Sequence, residues 1–120
     1  MKATLSKRIV SEFIGMGFLV AAVVGSGIMG ERLSGGNVAI ALLANTIATG
    51  AALVALIFAF GSISGAHFNP AVTIVAALER GVSWTVAVCY VPAQCIGAIG
   101  GIAILSCDVT TDLLAWVGPL

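Results

Sequence analysis

Residues Ser64 to Thr73 read S-G-A-H-F-N-P-A-V-T, a polar interruption in a chain that is otherwise almost wholly apolar. Asn69 is a favoured helix N-cap, and Pro70 suits the first helical position, where an N–H would have no partner in any case. The run that follows, Pro70–Glu79 (P-A-V-T-I-V-A-A-L-E), predicts a helix. At 1.5 Å per residue it would be only about 15 Å long, roughly half a bilayer core. A short helix whose capped N-terminus lies deep in a membrane brings N–H donors and partial positive charge to the midplane without burying an ion. Such an arrangement suits a pore or a solute site.

Composition supplies the membrane. Of 120 residues, 60% are hydrophobic and 8% charged, with mean hydropathy +1.17. A soluble domain carries about 25% charged residues and could not cover its surface with so few. Net charge is zero, so no basic field attracts nucleic acid. The expected fold is an all-α membrane protein with three transmembrane helices plus a re-entrant loop carrying a half-helix. It forms a single membrane domain over residues 1–120. Spans are expected at about 9–30, 38–60 and 82–106, each near the roughly 20 residues needed to cross. The re-entrant loop and half-helix fill about 61–79. A cleaved signal peptide is the rival for the first span, but that apolar run is longer than the usual h-region and lacks a clear cleavage site.

Charge placement predicts orientation. Lys2, Lys7 and Arg8 precede the first span and Arg80 follows the short helix, whereas Arg32 stands alone between the first two spans. The positive-inside rule therefore places the N-terminus in the cytoplasm. Asp108 and Asp112 then fall outside, which weighs little. Small residues recur at Gly17, Ala21 and Gly25, and again at Gly97 and Gly101. They fit close helix packing in lipid, and equally the ordinary composition of membrane helices.

These residues carry a resemblance. From about Val10 to Gly101 the chain resembles the N-terminal half of a major intrinsic protein, the aquaporin and aquaglyceroporin family. The signature is Asn69-Pro70-Ala71 within Ser64–Thr73, with support from Glu12-Phe13, Ala93-Gln94 and Gly97-Ala98. The resemblance implies one half of an inverted repeat and a passive channel for water and small uncharged solutes. Asn69 would donate its side-chain amide to the solute and cap the half-helix. Pro70 and Ala71 would shape the turn. The carbonyls of Gly65, Ala66, His67 and Phe68 would form a ladder of acceptors along the cytoplasmic half of the pore, with His67 at its mouth. Thr49, twenty positions before Asn69, occupies a constriction position that is typically aromatic in the family. A small hydroxylated residue there widens the opening toward glycerol or neutral metalloid hydroxides.

Glu12, the one acid within a span, fits two roles. The resemblance has it accepting hydrogen bonds from backbone N–H groups of the re-entrant loop; alternatively it snorkels to a nearby interface. Gln94 should be a buried structural tie. No cofactor and no metal is expected, because Cys89, Cys95 and Cys107 lack zinc spacing and read as small apolar residues. An enzyme is not expected either, for want of a nucleophile–base pair or phosphate loop. A secondary transporter would need more carboxylates than Glu12.

Family members are about twice this length, with a second Asn-Pro-Ala and a constriction arginine, neither of which occurs here. The expected partners are therefore the lipid bilayer, water and small neutral solutes, and either further copies or a complementary second-half chain. A fragment of a full channel, a genuine half-channel and a nonfunctional or structural membrane piece all stay open. The expected location is multi-pass in a bacterial inner membrane.

Overall fold

The computed structural model describes the backbone of residues 3–117 and the side chains of residues 3–107. Lys2, Asp108 and Asp112, which enter the charge argument, lie outside the described side chains. Four helices are found among the described residues: α1 (Leu5–Leu33), α2 (Val38–Ser64), α3 (Pro70–Leu78) and α4 (Trp84–Val117). Three of them are long and apolar enough to cross a membrane. The fold is all-helical, and α3 is the short one, at 9 residues.

Helix ends follow local chemistry. Gly35 and Gly36, at φ 60° and 88°, turn the chain between α1 and α2. Asn37 then caps α2, its Oδ1 accepting from the N–H groups of Ala39 and Ile40. Helix α2 runs to Ser64, four residues beyond the Phe60 expected from sequence, so Gly61–Ser64 are helical and outside the loop. Gly65, left-handed at φ 95°, stops it with its N–H on the Gly61 carbonyl. Helix α4 begins at Trp84, after Ser83, whose carbonyl accepts from the Ala87 N–H.

Helix α1 is central. It packs on both α4 and α2, while α3 leans on α4. The α1–α4 contact is backbone against backbone: a Cβ on Gly97 would overlap the Phe13 carbonyl, and one on Gly101 the Gly17 carbonyl. Gly25 meets the Leu105 side chain further along. Only residues without a side chain permit this approach, and the gain is dispersion, since lipid offers no hydrophobic driving force. The α1–α2 contact is partly polar. Asn45 Nδ2 donates to the Val23 carbonyl at 2.7 Å and to Ser26 Oγ at 3.0 Å.

Burial is inverted relative to a water-soluble domain. The largest fully buried side chains are Tyr90, Phe68, Gln94, Glu12 and Thr73, of which only Phe68 is purely apolar. Phe58 is 84% exposed and Ile104 73%. Apolar outside and polar inside is the distribution that a hydrocarbon solvent selects.

Candidate functional site

The segment between α2 and α3, residues 65–69, is five residues long, and three of them lie in the left-handed region: Gly65 (φ 95°), Ala66 (φ 51°) and Phe68 (φ 43°). Ala66 and Phe68 carry a Cβ, so this backbone persists only because its surroundings hold it. Those surroundings are specific. Phe68 is buried, its ring seated where a side chain on Gly15 would stand and edge-on to Phe60 at 6.1 Å between centroids.

Glu12 holds the loop from beneath. Its Oε1 accepts from Ser64 Oγ at 2.6 Å and from the His67 N–H at 3.0 Å. Its Oε2 accepts from the Phe68 N–H and from Gln94 Nε2, both at 2.8 Å. With 0% exposure Glu12 does not snorkel, and four donors satisfy a carboxylate's acceptor capacity. Hydrogen bonds to a charged group contribute about 1.5–3 kcal/mol each, which offsets the cost of burying the charge.

Two residues with no role assigned from sequence complete the support. Thr73 Oγ1 donates to the Asn69 carbonyl at 3.1 Å, accepts from Gln94 Nε2 at 2.9 Å, and lies 3.1 Å from His67 Nδ1. Thr73 has one hydroxyl proton, so this network is satisfied when Nδ1 of the imidazole carries its proton and donates to Thr73. Tyr90 donates its hydroxyl to the Ser64 carbonyl at 2.8 Å and receives Arg8 Nε at 2.9 Å. Signals for both were present: Tyr90 and Gln94 are polar side chains four apart on one face of an apolar helix, and Thr73 follows Asn69 by four.

The loop also carries unpartnered chemistry. Asn69 is exposed, and its Oδ1 accepts from the Ala71 N–H at 2.8 Å, capping α3 with Pro70 at the first position. That bond fixes the amide: Oδ1 faces the helix, and Nδ2 is the group left free to donate. Among the described residues no hydrogen bond reaches the carbonyls of Gly65, Ala66, His67 or Phe68, nor Asn69 Nδ2. Backbone groups left open inside a membrane protein are tolerated where they line water or protein. Glu79 caps the far end of α3, one residue short of the helix expected from sequence.

Thr49 stands apart. It is half-buried on α2, and its Oγ1 is covered without a hydrogen-bond partner among the described residues. It shares no hydrogen bond with the loop network. Gln94 Oε1 is likewise covered and unpartnered.

The chain matches the family model described as "Major intrinsic protein" over residues 1–118, a longer stretch than the motif-bearing region Val10–Gly101. It is 54% identical over 100 residues to Aquaglyceroporin AqpS of Rhizobium meliloti (strain 1021), covering 83% of this chain and 42% of that protein. It is 33% identical over 109 residues to Probable aquaporin NIP7-1 of Arabidopsis thaliana, covering 89% and 38%. With Aquaporin-1 of Pongo abelii it shares 39% over 110 residues, covering 89% and 40%. The chain thus spans about two fifths of the length of the curated relatives it matches. Matched along almost its whole length by the family model, and carrying the capped half-helix on a buried carboxylate, the chain belongs to the major intrinsic protein family.

Proposed function

We propose that this chain forms one wall of a passive transmembrane channel for water and small uncharged solutes. The observation that carries the proposal is the fixed amide of Asn69. Its Oδ1 is held by the Ala71 N–H, so Nδ2 is the group left to donate, and the four carbonyls that precede it in the chain accept from nothing among the described residues. One donor followed by a row of acceptors suits a solute that exchanges its hydrogen bonds stepwise. A water that accepts from Asn69 is oriented against proton relay, and a neutral narrow passage cannot replace an ion's hydration shell. The N-terminus of α3 adds a positive end that repels cations.

Asn69 is exposed in a single copy, so the passage needs a second wall, from a complementary second-half chain or a further copy. Glycerol and neutral metalloid hydroxides are the larger solutes proposed, on the strength of Thr49 and of the similarity to a protein named an aquaglyceroporin. The proposed setting is a bacterial inner membrane with the N-terminus in the cytoplasm, supported by the bias of Lys2, Lys7, Arg8 and Arg80 to one side.

Stopped-flow light scattering on proteoliposomes, under water and then glycerol gradients, tests the proposal with the chain alone and with a second-half chain co-reconstituted. Rapid volume change with low activation energy is expected once the second wall is present. Asn69→Asp should remove it while the chain remains inserted and helical. Flux that is unaltered by this substitution would take Asn69 out of the passage.

A further inference from the structure

The loop has a second anchor that the Glu12 network does not include. Arg8, near the start of α1, reaches α4 rather than its i+4 neighbour Glu12. Its Nε lies 2.9 Å from the Tyr90 hydroxyl oxygen, and its guanidinium carbon 5.5 Å from the ring centroid. The hydroxyl's own proton is spent on the Ser64 carbonyl at 2.8 Å. The Tyr90 ring meets His67 edge-on at 5.6 Å and 80°. Tyr90 is completely buried, so neither its hydroxyl nor its ring has freedom to turn away. Ser64 is the last residue of α2, and its carbonyl is one of the groups a helix end leaves without a partner.

From this geometry we propose that Arg8 and Tyr90 act as a latch that positions the pore loop, with Arg8 acting through Tyr90. The Arg8 guanidinium polarises the Tyr90 hydroxyl by donating to it, which strengthens that hydroxyl as a donor to Ser64. The Ser64 carbonyl fixes where α2 stops and where the left-handed residues Gly65 and Ala66 begin. The Tyr90 ring adds an edge-on contact to the imidazole of His67, which is also bonded to Thr73. Arg8 and Tyr90 are therefore positioning residues: they touch the loop's frame and leave solute contact to Asn69 and the open carbonyls. Their relevance to transport rests on the channel reading given above, whereas their hold on the loop does not.

The test is amide hydrogen exchange, resolved by residue, on the full chain in lipid nanodiscs. Tyr90→Phe keeps the ring against His67 and deletes only the hydroxyl. It should speed exchange at Ala66, His67 and Phe68 by roughly three- to ten-fold, the size of one lost hydrogen bond, and leave the α1–α4 seam unchanged. Arg8→Gln should do the same to a smaller degree, and Arg8→Lys should recover part of the protection. The double variant should be no worse than Tyr90→Phe alone. Additive effects would show that Arg8 does not act through Tyr90 and would overturn the relay. Exchange that is unchanged at residues 66–68, or raised equally throughout the helices, would overturn the latch. Should Tyr90→Phe fail to fold, the Arg8→Gln and Arg8→Lys pair decides alone, because Arg8 sits at the margin of the fold. Asn69→Asp should leave the loop's protection intact while abolishing flux, so failure of the latch and failure of the channel reading give different results.

Discussion

Helix α1 meets the rest of the molecule in two unlike ways. Near its N-terminus it offers a carboxylate: Glu12 gathers a hydroxyl, two backbone N–H groups and an amide from α2, the loop and α4. A turn and more further along it offers nothing but backbone, Gly17 lying against Gly97 and Gly101. The first contact is directional, and each partner has one correct position. The second is dispersive and short-ranged, and its requirement is the absence of atoms. Position is specified where the loop must hold an unfavourable backbone, and closeness alone suffices where two straight helices cross.

Breaking the directional contact should cost most. Glu12→Gln replaces a four-acceptor carboxylate by an amide with one oxygen and two additional donors, facing donors that stay buried. We expect a loss of about 3 kcal/mol or more in mixed-micelle unfolding followed by circular dichroism, with exchange protection lost at His67 and Phe68. A smaller effect is expected at the seam. Gly97→Val drives a side chain into the Phe13 carbonyl and should cost about 1–3 kcal/mol in the same assay, with the amides of His67 and Phe68 still protected. If those amides open as readily as in Glu12→Gln, the two regions are one cooperative unit and the contrast between them disappears. The smallest change is expected for Asn45→Ala at the α1–α2 contact, about 0.6 kcal/mol, the average for a hydrogen bond between membrane helices.

Much of this was legible in the sequence, for identifiable reasons. Asn69-Pro70 announced a helix start because capping is a local property, and the three long apolar runs announced spans because length and apolarity suffice. The end of α2 was misplaced at Phe60 because Gly61, Ser62 and Ser64 resemble loop residues in water. In an apolar setting a helix continues until something supplies its last carbonyls, and here that is Gly65 and Tyr90. The left-handed Ala66 and Phe68 gave no signal, since neither residue type prefers that conformation. The contact between Arg8 and Tyr90 escaped notice because 82 positions separate them, and no local pattern joins two residues so far apart. Glu12 could be linked to the loop only by resemblance, and its four partners became visible in the fold.

Glu12 also imposes a schedule on synthesis. It emerges 82 positions before Gln94, which at 5–20 residues per second is roughly 4–16 s of translation. Through that interval the first helix exists without the last of its four donors, and the Ser64 carbonyl waits 26 positions, roughly 1–5 s, for Tyr90. The loop can close over the carboxylate only when α4 has arrived, so the segment between α2 and α3 is written midway through the chain and settled after it.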